Sequence, residues 1–97
     1  MATYITLLNF TDQGIRNFKE TPKRANAFVE SAKKLGVEIE KIYWTVGAHD
    51  GVVIFDAPDD ETAAATLLSL AALGNVRTQS LRAFGRSEIE AIVAKAP

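Results

Sequence analysis

The stretch EIEKIYWTVGAHDGVVIF, residues 38–55, decides the fold. Glu38 to Val46 alternates as a strand does, placing Ile42, Trp44 and Val46 on one side and Lys41, Tyr43 and Thr45 on the other. Gly47-Ala48-His49-Asp50-Gly51 supplies turn-forming residues, and Val52 to Phe55 follows at once as a short apolar strand. Strands joined by so short a loop pair antiparallel, so the stretch is expected to form a hairpin.

Upstream, Thr3 to Phe10 is rich in β-branched and aromatic residues and reads as a first strand. Thr11 offers an N-cap oxygen to a short helix with Ile15 and Phe18 on its apolar side, ending near Glu20. Thr21 and Pro22 read as a fresh N-cap and first helical residue. That helix carries Ala25, Phe28, Val29, Ala32 and Leu35 at helical spacing and stops at Gly36. Downstream, Pro58-Asp59-Asp60-Glu61 opens a helix with acidic groups at its positive end. Ala64, Leu67, Leu68 and Ala71 line one side of it, and Gly74 closes it. Val76 to Phe84 is the fourth strand, and Ser87-Glu88-Ile89-Glu90 reads as a capping box before a last helix presenting Ile89, Ile92 and Val93. The 97 residues make one domain. The fold class is α+β: ferredoxin-like βαββαβ with a C-terminal helix and a four-stranded antiparallel sheet, both crossover helices on one face.

The other sheet face then has no cover. Val52 and Ile54 oppose Val53 and Phe55, and Ile5 and Leu7 oppose Tyr4, Leu8 and Phe10, so both faces are apolar. Hiding ~600 Å² of such surface is worth ~15 kcal/mol before association costs. Either a second copy or the C-terminal helix is expected to cover it, and a homodimer or larger assembly is the expected partner.

Composition narrows the function classes. A net charge of −1 and a pI near 5.8 give no electrostatic reason to approach phosphates, so no nucleic acid is expected. The absence of cysteine removes thiolate ligands and a Cys nucleophile, and a single histidine leaves no metal-ligand spacing. No metal and no cofactor are expected. Met1 to Phe10 lacks a basic leader, and no run is long enough to span a bilayer, so the expectation is a cytoplasmic protein without membrane contact.

Catalytic residues are not legible. Ser31, Ser69, Ser80 and Ser87 lie in no nucleophile motif. The sharpest candidate is the hairpin loop, where the imidazole of His49 adjoins the carboxylate of Asp50. His49 reads either as a ligand contact or as a loop residue, since neighbours on a strand point to opposite faces. Trp44 reads as a stacking surface or an interface anchor, and Asn9 as a polar group on a pocket wall or a bonded strand end. His49, Asp50, Asn9 and Trp44 are thus the candidate ligand-binding residues. Arg24, just after the Thr21-Pro22 start, is the cation whose partner matters most.

Several linked blocks resemble the GYD domain family, named for a Gly-x-Tyr-Asp-type motif in the hairpin between the second and third strands. Here the motif reads Gly47-Ala48-His49-Asp50, accompanied by TDQG at 11–14, TPKR at 21–24, YWTVG at 43–47, APDDE at 57–61 and LGNVRTQSLRAF at 73–84. The resemblance spans nearly the whole chain and implies a ferredoxin-like fold of the dimeric α/β barrel type. It carries no catalytic residue over to this chain, and His49 stands where the family name has Tyr. The leading expectation is a small-molecule binding or regulatory module acting as a homo-oligomer. The rivals are a cofactor-independent oxygenase or isomerase with a pocket against the open sheet face, by analogy of fold, and a ligand-free interaction subunit.

Overall fold

The computed structural model describes residues 1–97. Its order is β1 (Ala2–Phe10), α1 (Asp12–Arg16), a 3-10 turn (Phe18–Glu20), α2 (Thr21–Lys34), β2 (Glu38–Trp44), β3 (Gly51–Ala57), α3 (Asp60–Ala72), β4 (Val76–Ala83) and α4 (Arg86–Lys95). The strands pair antiparallel in the order β2-β3-β1-β4, which is the ferredoxin-like α+β arrangement read from the sequence.

Register assigns the faces. Tyr4 opposes Phe55 and Thr6 opposes Val53 on the helix side, while Ile5 opposes Ile54 and Leu7 opposes Val52 on the other. The core lies on the helix side, where Tyr4, Val53, Phe55 and Ala57 meet Ala32, Val37 and Ala63. The rings of Tyr4 and Phe55 stack 5.2 Å apart. The Tyr4 hydroxyl donates to Asp60 in the first turn of α3, and that hydrogen bond holds the phenol above its ordinary range.

Local signals start α1 and α3 and end α2 where expected. Thr11 Oγ1 accepts from Gly14 N at 3.0 Å. At the end of α2, Val37 N donates to Ala32 O and Gly36 N to Lys33 O, both at 3.0 Å, around Gly36 at φ +77°. Asp59 accepts from Thr62 N at 2.7 Å, and this bond holds its carboxyl below the ordinary range.

Five details differ from the sequence reading. Thr21 is already helical at φ −53° and ψ −49°; Glu20 precedes α2 and no side chain caps it, so Thr21 only receives a 3.3 Å bond from Arg24. The first helix breaks at Asn17, leaving Ile15 and Phe18 exposed instead of forming one apolar side. β2 stops at Trp44 because Thr45 turns back, its N–H bonded to Asp50 O at 3.0 Å, and Val46 projects into solvent. On α3 the inward residues are Ala63, Thr66, Leu67 and Leu70, whereas Leu68 is exposed: a helix so uniformly apolar has no single stripe to fix its phase. Gly85, not Ser87, is the N-cap of α4, with Glu88 accepting from Gly85 N at 3.0 Å.

Candidate functional site

The hairpin loop is built by short bonds. Thr45 Oγ1 donates to His49 O at 2.6 Å, and Asp50 N donates to Leu8 O at 2.8 Å, so β1 anchors the end of the loop. Asp50 then uses one carboxylate oxygen to accept from Phe10 N at 2.8 Å. Asn9 Nδ2 donates to Ala48 O, and its Oδ1 lies 2.9 Å from His49 Nδ1. With the Asn9 amide so oriented, the network assigns the His49 proton to Nδ1.

This geometry separates the candidates into two pairs. Asn9 alternates with Ile5 and Leu7, so Asn9 and His49 form a bonded pair at the end of the uncovered sheet face. Asp50 and Trp44 instead line a cavity on the helix side. His49 and Asp50 therefore do not converge as an acid-base pair.

The cavity, half open to solvent, has a volume of about 230 Å³ between α2 and α3, which lie apart over the sheet. Leu8 and Val53 contribute from the sheet, Phe28 from α2 and Leu70 from α3, and 11 of its 15 lining residues are hydrophobic. A second hollow of about 320 Å³ adjoins it, sharing Phe28, Leu70 and Leu73. Arg24 lines the first cavity, its guanidinium donating to the carbonyls of Asn17 at 2.9 Å and Gly14 at 3.3 Å. The sequence singles out Arg24, Trp44 and Asp50 separately; it places Phe28 on the apolar side of its helix and gives Leu70 no role, because nothing local announces that their helices stand apart.

The opposite sheet face carries Ile5, Leu7, Val52 and Ile54, only partly buried, with Tyr43 and Leu81 about half exposed beside them. A bulge at Glu40 lets Ile39 join Ile42 on the helix side. Glu40 lies beside Asp56, whose hydrogen bond and negative charge hold the Glu40 carboxyl above its ordinary range. The C-terminal helix does not cover this face: every residue of α4 is exposed, and Ile92, its most sheltered large apolar side chain, is 39% accessible. No cluster of three or more potential metal ligands is present, and no helix is long and apolar enough to cross a membrane.

Residues 4–93 match the GYD domain. The chain belongs to the GYD domain family. Within it, this GYD protein is 32% identical over 84 residues to the glutamine synthetase and cystathionine beta-lyase binding protein of Thermus thermophilus, covering 86% of this chain and 88% of the relative. Two crystal structures share the fold. TTHA0845 from Thermus thermophilus superposes with a TM-score of 0.57 at 23% identity, over 88% of this chain and 95% of that one. MtbAldR superposes with a TM-score of 0.60 at 13% identity, over 88% of this chain, which spans about half (54%) of that longer protein.

Proposed function

We propose that this GYD protein is a homo-oligomeric binding or regulatory module of the cytoplasm, which contacts proteins through its uncovered apolar surfaces and holds a small molecule between α2 and α3. One observation carries the reading: α4 leaves the open sheet face uncovered and keeps its own apolar row, Ile89, Ile92 and Val93, in solvent. Only 12 of the 97 residues are buried, so a lone chain hides little apolar surface and gains from a partner. The relative that is named for binding two enzymes supports protein contact as the role. Asn9 and His49, at the end of the open face, are assigned to the protein contact, and Trp44 and Asp50 to the ligand.

Light scattering at micromolar concentration tests the assembly. A dimer or larger particle is expected, and Ile54→Lys, in the centre of the open face, is expected to yield folded monomers. A monomeric parent would overturn the homo-oligomer, as would an Ile54→Lys variant that assembles like the parent.

A further inference from the structure

The cavity between α2 and α3 combines apolar walls with two charges that lack ionic partners. The chain's two ion pairs lie elsewhere, at Lys33–Glu30 and Arg82–Glu88. The half-buried Arg24 guanidinium meets only neutral oxygens, from Asn17, Gly14 and Thr21. Asp50, also half-buried, accepts one backbone N–H through one oxygen and leaves the other unbonded. Partly exposed charges without an ionic partner beside an apolar cavity favour a ligand that supplies the opposite charge. A purely anionic ligand would satisfy Arg24 but meet Asp50 unfavourably, and a purely cationic one the reverse.

We infer that this cavity binds a small zwitterion with an apolar tail, an apolar amino acid or a close derivative. The ligand carboxylate faces Arg24, its ammonium faces Asp50, and its tail enters the space bounded by Phe28, Leu70 and Trp44. Size agrees: about 230 Å³ is below the roughly 300–1,000 Å³ typical of sites for drug-sized molecules. The inference rests on the small-molecule half of the proposed function and is independent of self-association.

Trp44 is the chain's one tryptophan, about half exposed, and reports directly on occupancy. L-leucine and L-phenylalanine at millimolar concentration are expected to change its fluorescence saturably and to raise the melting temperature. The same tail without an ammonium (4-methylpentanoate) or without a carboxylate (3-methylbutylamine) is expected to bind at least about tenfold more weakly, as one charged contact is lost. Asp50→Asn keeps an oxygen to accept from Phe10 N, so it is expected to fold and to lose about tenfold in L-leucine affinity by calorimetry. Leu70→Trp, filling the cavity, is expected to abolish the heat of binding, while Ile54→Lys on the opposite face retains it. Absence of any heat or thermal shift with both amino acids would overturn the inference. So would equal binding of the deaminated acid, an Asp50→Asn affinity equal to the parent's, or undiminished binding by Leu70→Trp. Light scattering on the same samples separates this outcome from a failure of self-association, which would change particle size without changing ligand response.

Discussion

Replacing Gly14 with Ala introduces a Cβ that collides with the backbone carbonyl of Asn75, 2.9 Å from its carbon and closer still to its oxygen. The obstacle is main chain, so no rotamer change relieves it. Asn75 O accepts from Thr11 N at 3.1 Å, Gln13 donates to Leu73 O and to Asn75 Oδ1, and Thr11 Oγ1 donates to Gly74 O at 2.5 Å. These bonds latch α1 to the turn between α3 and β4, and separating the two backbones lengthens them together. Losing about two such bonds at ~1 kcal/mol each, with ~1 kcal/mol of residual overpacking, the low end of its usual range, gives a destabilisation of about 3 kcal/mol. For a domain of this size that corresponds to a drop of roughly 12–24 °C in Tm. Urea melts followed by far-UV circular dichroism measure it directly. An unfolding free energy within ~0.3 kcal/mol of the parent's, at unchanged slope, would refute the close approach of Gly14 to Asn75.

Two further outcomes follow from the local chemistry. Thr21→Ala is expected to cost under ~0.5 kcal/mol in denaturant melts, because Thr21 caps no backbone N–H; a loss near the ~1 kcal/mol of a true N-cap would show that α2 starts one residue later. The Glu40 carboxyl is held above its unfolded value of 4.5 by Asp56, so the stabilisation it gives is fully present below that value and fades as pH rises through the raised folded pKa. Glu40→Gln keeps a hydrogen-bond donor to Asp56 at every pH, so its Tm is expected to match the parent's near pH 4 and exceed it at pH 7; parallel pH profiles would count against the carboxylate pair.

The element order, the central hairpin, the Thr11 cap, the Gly36 stop and the two-sided apolar character of β1 and β3 are all legible in the residues alone. Those features arise from caps and two-residue alternation, which act within a few residues and need no distant partner. Tertiary structure decided the rest. The Glu40 bulge turns Ile39 toward the core, and the phase of α3 is set by packing on the sheet because its own apolar residues surround it. The loop bonds send His49 to Asn9 and Asp50 to Phe10 N, dividing a site that is contiguous in sequence between two faces of the sheet. Arg24, Trp44 and Asp50 meet around one cavity only because α2 and α3, more than 20 residues apart in the chain, stand apart above the strands, a spacing that no local pattern encodes.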